Sequence, residues 1–407
     1  MTVTINDIND ISKEYGDSFY ILDSEKFEDN YKELTDAFKS IYPKFNIAYS
    51  YKTNYIPTLC KTVDRLGGYA EVVSDMELEL ALKCGVKPEN IIWNGPVKNM
   101  ERVTDFLEKN GNVNVDTYAE LKEIIERYRG EKPASLSIRC NFDIGDGTIS
   151  RFGIDTESEE FDKSIDLINE NAHRVSLIGL QCHLASRKLE YWENRADSMI
   201  GLYQRVSDRI GYPLKRLDLG GGIYGHMDER LKSQFETAIP AYKDYALKAA
   251  TKFSDAFKDE DTPELVLEPG TALAGDSMVY ILKVTGIKKV RDKWFLTTNG
   301  SQKNISMTGI NPPLDVIKTD INGVEINVEN ADVVGYTCIE SDVLYRGLTC
   351  NVKVGDYIKI SNCGSYSIVM KPPFISACVP IVEKRGNVIK LVKRQETVDD
   401  IFDTYVF

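Results

Sequence analysis

At 407 residues, with 42% hydrophobic and 28% charged residues, the chain can fill a large core and a smaller companion, and disorder is excluded as its default state. A net charge of −13 argues against nucleic acid or an anionic membrane surface as the main partner, since both demand clustered Lys and Arg. Residues 1–10 (MTVTINDIND) do not read as a signal peptide and no apolar run reaches the length of a membrane span, so a cytoplasmic location is expected. Eight cysteines are scattered without a CxxC pair, which gives neither zinc-ligand spacing nor a disulfide framework. Most are expected to be reduced, buried apolar residues, and no metal site is expected.

In chain order, residues 18–22 (SFYIL) come first, a short strand set apart from the later elements. From 45 to about 270, short apolar runs alternate with longer amphipathic segments, the pattern of repeated βα units around a parallel sheet. Eight strands are predicted at 45–49, 69–73, 90–93, 113–116, 135–140, 177–183, 216–219 and 265–268. Helix starts lie between them. Ser74 with Glu77, and Thr117 with Glu120, read as capping boxes, and Gly85 as a C-terminal cap. Eight such units over this length suit a (β/α)8 barrel, with a doubly wound open sheet as the competing fold. Beyond Gly270 the texture changes to β-branched and aromatic runs at 278–284, 294–298, 324–328, 357–360 and 388–392, with Asn322-Gly323 as a hairpin signal. The expected fold is therefore α/β, a barrel over 24–275 plus a mostly-β domain assembled from 1–23 and 276–407.

Barrel enzymes place reactive groups at the C-terminal ends of strands and commonly bind phosphate in the loops after strands seven and eight. Here the seventh strand runs into Gly220-Gly221-Gly222 and the eighth into Glu268-Pro269-Gly270. Consecutive glycines let backbone N–H groups face an anion without Cβ obstruction, although a tight turn alone also explains a glycine triplet. Lys52 follows the first strand. A surface lysine is the ordinary reading, but an amine desolvated at a barrel mouth has a lowered pKa and can condense with an aldehyde. A phosphate loop facing such a lysine implies an aldehyde cofactor carrying a phosphate. His183, one of three histidines, ends the sixth strand, where it is either a satisfied core residue or a flat ring against the cofactor. Ser186 would add a phosphate hydrogen bond. Glu268 is either a helix-capping carboxylate or the group that keeps a pyridine nitrogen protonated.

At these residues the sequence resembles the fold-type III pyridoxal-phosphate decarboxylases, the diaminopimelate, ornithine and arginine decarboxylase family that shares its barrel with alanine racemase. Tyr49-Ser50-Tyr51-Lys52-Thr53-Asn54 is similar to Y-x-x-K-(A/T/S)-N. His183 with Ser186 is similar to H-I-G-S, residues 218–222 to D-x-G-G-G, and residues 268–270 to the start of E-P-G-R. Residues 335–342 (GYTCIESD) resemble G-P-x-C-x-x-x-D, residues 364–366 (GSY) resemble G-A-Y, and Arg139 with residues 150–153 (SRFG) fits the fifth-strand arginine and K-F-G. The resemblance spans nearly the whole chain. It implies that pyridoxal 5'-phosphate (PLP) is held as a Schiff base on Lys52, with His183 stacked on its ring and Glu268 at its nitrogen. It further implies that Arg139 lies in the cofactor site, and that Ser186, Gly221, Gly222, Gly270 and Tyr366 contact the phosphate. In a homodimer with shared active sites, Cys338 would return a proton to the substrate and Asp342 would lie near it.

Departures fall on the substrate side. The arginine expected after Gly270 is Thr271, and the acidic residue expected after Cys338 is Ile339, with Glu340 one position later. The family's D-A-G near residues 297–299 is also missing. The expectation is an amino-acid decarboxylase with an atypical distal group on its substrate, a specialised member of the siderophore or secondary-metabolism type. Two alternatives remain open on the same fold: an amino-acid racemase, and a catalytically inactive regulatory homologue of the antizyme-inhibitor kind.

Overall fold

The computed structural model describes residues 2–258, 262–306 and 310–406. They form two compact units. The first comprises Asn30–Gly225 and Pro240–Ala272, and it is a closed ring of eight parallel strands. In chain order these are β1 (Phe45–Ser50), β2 (Tyr69–Val72), β3 (Ile91–Trp93), β4 (Asn112–Val115), β5 (Ala134–Asn141), β6 (Val175–Leu184), β7 (Arg216–Gly221) and β8 (Glu264–Leu267). Each pairs with the next, and β8 pairs back onto β1 through Leu265 opposite Phe45. All eight predicted strands are present, and closure excludes the open sheet. An open sheet would leave two edges with unpaired N–H and C=O groups, which the β8–β1 ladder satisfies.

Helices follow the strands with apolar faces turned inward. α1 (Pro57–Arg65) buries Leu59, Cys60 and Val63, and α3 (Met100–Glu108) buries Val103, Phe106 and Leu107, both at helical spacing. α6 (Glu190–Ile210) and α7 (Tyr242–Ala256) meet through Trp192 and Tyr245, whose rings pack edge-on at 5.3 Å. The caps of α2 (Asp75–Lys83) and α4 (Tyr118–Arg127) differ from simple boxes. Ser74 and Thr117 accept the N–H of Glu77 and Glu120 as expected, but those glutamates bond the N–H of Val73 and Asp116, one residue before the cap. Each therefore ties its helix to the end of the preceding strand.

The second unit, drawn from residues up to Asp29, His226–Ile239 and Leu273 onwards, is built on one β-sheet. Phe19–Leu22 lies inside it, antiparallel to Met278–Val290 and parallel to Ile381–Arg385. Helix Ile5–Tyr15, capped by Thr4 and Asp7, lays Ile8 and Ile11 on a core with Phe19, Ile21, Val279, Ile281, Tyr357 and Val382. His226–Ile239 joins this unit because Arg230 bonds the Leu314 carbonyl and the Asp315 carboxylate, each at 2.8 Å. That excursion falls inside the span 24–275 assigned to the barrel from sequence.

Three expectations are corrected here. Asn322-Gly323 does not turn a hairpin, because the strands on either side pair elsewhere. Leu314–Ile317 pairs with Tyr357–Ile360, while Ile326–Val334 lies between Lys293–Thr298 and Val343–Val352. The strands Leu314–Ile317, Val343–Val352 and Ile381–Arg385 lie outside the predicted set, their half-exposed faces carrying polar residues that dilute the strand signal. Of the eight cysteines, all free, only Cys60, Cys140, Cys182 and Cys363 are buried, and Cys338 is exposed.

Candidate active site

The strand register brings the barrel's charged residues into one connected group. Ser50 pairs with Glu71 across β1 and β2, so Lys52, one helical step beyond β1, meets a carboxylate that is fully buried. Lys52 Nζ donates to Glu71 Oε2 at 2.5 Å. The lysine is therefore not the isolated, desolvated amine expected from sequence. It is ion-paired by the neighbouring strand. Asn94, just past β3, carries the connection onward, its Nδ2 donating to Glu71 Oε1 at 2.9 Å and to Glu268 Oε1 at 2.5 Å. Its Oδ1 accepts from Asn114 at 2.6 Å. Glu268, past β8, takes two more donors on its other oxygen, Gln181 Nε2 at 3.0 Å and His183 Nδ1 at 3.2 Å.

These partners decide where the charge sits. Burial works against ionised Glu268, but the hydrogen bond and charge of His183, the charge of Lys52 and the Asn94 amide outweigh it and hold the carboxyl below its usual range. Asp218 on β7 behaves oppositely. Burial first, and then the charges of Glu268 and Glu71, push its carboxyl well above the ordinary range, with Arg216 offsetting only part. The two buried carboxyls are thus shifted in opposite directions.

The glycine turn after β7 is shaped by what lies against it. A Cβ at Gly220 would stand 2.2 Å from Glu268 Oε2 and 2.7 Å from the Cys182 carbonyl, so only glycine leaves room for the carboxylate. Gly221 has φ +123, a backbone region closed to ordinary side chains. A Cβ at Gly222 would meet the Arg187 side chain, and at Gly270 the Thr53 hydroxyl, at 2.4 and 1.9 Å. Arg139, buried on β5, bonds Asp116 at 3.3 Å and lies over the Phe152 ring, and Asp116 also accepts the Gly153 N–H at 3.2 Å. Ser186 is partly buried in the loop after β6, and Thr271 is partly buried after Gly270. Lys52, Arg139, His183, Ser186, Gly221, Gly222, Glu268, Gly270 and Thr271 therefore belong to one unit, at or beyond the C-terminal ends of its strands.

The second unit holds the others. Cys338, Ile339 and Glu340 are exposed on the loop before Val343–Val352. Asp342 is buried beneath them, with Oδ1 accepting from Ser301 Oγ at 2.9 Å and the Gln302 N–H at 2.7 Å, and Oδ2 from Thr337 Oγ1 at 2.6 Å. Asp342 braces the cysteine loop, and Gly335 packs against its carboxylate. Tyr366 is held at φ +62, an unusual conformation for a non-glycine residue.

Glu71, Asn94 and Gln181 were assigned no role from sequence. The available signal was polarity in the wrong place, with Glu71 the one charge in an otherwise apolar strand and Gln181 inside the run 177–183.

An amine, a carboxylate held below its usual range in a dry interior, a ring-shaped side chain against it and a glycine turn are a donor set that fits PLP. The fold and this donor set define a PLP enzyme of the parallel-barrel type. Comparison with known proteins narrows the class. Residues 28–275 match the family described as pyridoxal-dependent decarboxylase, pyridoxal binding domain. The chain is 26% identical to the diaminopimelate decarboxylase of Aquifex aeolicus, covering 97% of this chain and 93% of that protein. It is 27% identical to that of Corynebacterium efficiens, covering 100% and 91%. The crystal structure of the diaminopimelate decarboxylase from Methanocaldococcus jannaschii superposes with a TM-score of 0.86 at 23% identity, covering 98% of this chain and 94% of that one. The chain belongs to the pyridoxal-dependent decarboxylase family and is a PLP-dependent amino-acid decarboxylase. The racemase and regulatory alternatives gain no support. Among the described residues no helix is long and apolar enough to cross a membrane, and no cluster has the makings of a metal site.

Proposed function

We propose that Lys52 holds the cofactor and that the chain decarboxylates an α-amino acid whose distal group differs from that of the commonest family substrates. The observation that carries the first part is the unbroken line Lys52–Glu71–Asn94–Glu268–His183, which joins an amine to an ionised buried carboxylate. Bound PLP supplies an aldehyde for the substrate amine and a ring that draws electrons from the α-carbon. The residues do the rest. Glu71 receives the Lys52 ammonium whenever the amine is released, Glu268 keeps the ring nitrogen protonated, and His183 packs on the ring face. Ser186, Gly221, Gly222 and Gly270 offer N–H and O–H donors to the phosphate, and Arg139 fixes the β4–β5 edge of the site through Asp116.

Cys338 is proposed as the proton donor to the α-carbon after carbon dioxide leaves, contributed by a second copy of the chain. Its exposure supports this reading, as do the exposed apolar Ile339, Met370, Phe374 and Ile375 on the same unit, a surface suited to another copy. Mixing two inactive variants, Lys52→Ala and Cys338→Ala, is expected to restore part of the activity if sites are shared. No recovery would count against sharing. Thr271 and Ile339 support the atypical distal group, with Glu340 as a polar contact to it.

Two measurements test the whole. Borohydride reduction of the PLP-loaded protein is expected to fix the cofactor on Lys52, and a label on any other lysine refutes the assignment. A screen for carbon dioxide release over diaminopimelate, lysine, ornithine, arginine and conjugated amino acids tests the substrate. If diaminopimelate is turned over fastest, the specialised reading falls while the decarboxylase stands.

A further inference from the structure

Arg195, on α6, is fully buried, yet its partners are carbonyl oxygens and a ring. Its Nη1 donates to the Gly220 carbonyl at 3.0 Å, and its Nη2 to the carbonyls of Leu184 at 2.9 Å and Ser186 at 3.2 Å. The Trp192 ring covers it at 4.3 Å, and its Nε has no acceptor. A buried cation ordinarily faces a carboxylate, because removing charge from water without compensation is costly. Here a permanent charge is set behind two loops that meet, the one after β6 and the glycine turn that ends β7.

The peptide plane gives this a consequence. In a trans peptide the C=O and the following N–H point in opposite directions. Drawing the carbonyls of Leu184, Ser186 and Gly220 onto Arg195 therefore turns the N–H groups of Ala185, Arg187 and Gly221 away from it, to the opposite side of the loops. Each of these N–H groups is turned away from the cation at its back, and backbone N–H groups presented by turns are what bind anions. Arg187, on the loop after β6, brings a second side-chain cation against the glycine turn. Its Nε lies 2.9 Å from where a Gly222 Cβ would stand, and its own carbonyl is fixed by the Tyr245 hydroxyl at 2.7 Å.

We infer that Arg195 is a positioning residue for a phosphate monoester dianion at the Gly220–Gly222 turn: it orients the loop N–H groups and supplies the charge that favours PLP over phosphate-free pyridoxal. The inference rests on the reading that the PLP phosphate lies at this turn.

The test compares full-length apoprotein of wild type, Arg195→Gln and Arg195→Lys, titrated with PLP and with pyridoxal, and with inorganic phosphate as competitor. Glutamine keeps a donor without the charge, and lysine keeps the charge with a simpler geometry. Arg195→Gln is expected to bind PLP about tenfold more weakly, the factor of one charge-assisted contact, with pyridoxal affinity unchanged and phosphate competition weakened in step. Arg195→Lys is expected to recover most of the loss. Equal losses for PLP and pyridoxal, or no loss for either, overturn the inference, as does failure of both variants to fold, which would make Arg195 a structural pin. If wild-type protein takes up no PLP, the functional reading fails. If it takes up PLP and Arg195→Gln retains the same preference over pyridoxal, only this inference fails.

Discussion

Asn94→Asp tests whether Glu71 and Glu268 both rely on one amide. The change keeps the side-chain shape but puts an oxygen where a donor stood 2.9 Å from Glu71 Oε1 and 2.5 Å from Glu268 Oε1. With separations of about 3 Å and an effective dielectric near 20, each new like-charge contact costs roughly 5 kcal/mol. Keeping a proton in the cluster is less costly. Relative to an unfolded aspartate pKa of about 3.9, it costs about 1.4 kcal/mol per pH unit, or roughly 4 kcal/mol at about pH 7. The variant therefore folds with one extra proton, whichever carboxyl carries it. A carboxyl whose folded pKa is raised destabilises the fold above its unfolded pKa, so the deficit is absent below about pH 4 and widens as pH rises. Urea unfolding of wild type and variant, followed by circular dichroism, is expected to give a difference of roughly 1.5 kcal/mol near pH 5 and 4 kcal/mol near pH 7. A difference of any size that does not change with pH refutes the shared-donor arrangement.

Burial, opposed by the Val73 N–H and reinforced by Glu71, lifts the Glu77 carboxyl from 4.5 to about 7. Its charge destabilises the fold above pH 4.5, fully so above about 7, so Glu77→Gln, which keeps an acceptor for Val73, is expected to be about 3 kcal/mol more stable than wild type at alkaline pH and equal to it near pH 4. Thermal melts across that range check this, and a stabilisation already present at low pH contradicts it. The Cys84 thiol is lowered to about 7 by a hydrogen bond from Cys60, so its alkylation, followed by peptide mapping, is expected to reach half-maximal rate near that pH. Cys60→Ala should move the half-point up towards the ordinary 9.0, and an unmoved half-point excludes the thiol pair. Gly220→Ala is expected to displace Glu268 and weaken PLP binding at least tenfold while β7 stays buried, and unchanged uptake would show that the carboxylate has room to move.

The barrel was legible because its strands are buried on both faces and read as apolar runs, and because capping residues such as Ser74 and Thr117 mark helices between them. Lys52, His183, the glycine turn and Glu268 were legible because strand ends mark the mouth of the barrel. Glu71 and Asn94 were not. Their importance lies in register: Ser50 opposite Glu71 and Val72 opposite Trp93 bring side chains from three strands to one point, and a single sequence does not print register. The bracing of Asp342 was not legible for a related reason, since its partners Ser301 and Gln302 come from a segment some forty residues away. In the second unit, strands with one exposed face carry too few apolar residues to stand out, and the Asn-Gly pair misled because a turn dipeptide reports local chemistry while pairing is decided at long range.

The opposed shifts of Asp218 and Glu268 follow from how donors are placed in an acidic barrel interior. Were both carboxyls ionised, their repulsion would raise both and leave neither reliably charged at neutral pH. The donors are distributed to prevent this. Asn94, Gln181 and His183 all address Glu268, while Asp218 faces burial and its neighbours' charge with Arg216 as a partial counterweight. Glu268 is therefore shifted towards its charged form and Asp218 towards its neutral one. Environment splits two like groups into separate roles. Glu71 completes the division by taking Lys52, so the lysine's charge reaches Glu268 through space and the Asn94 amide and not through a direct ion pair.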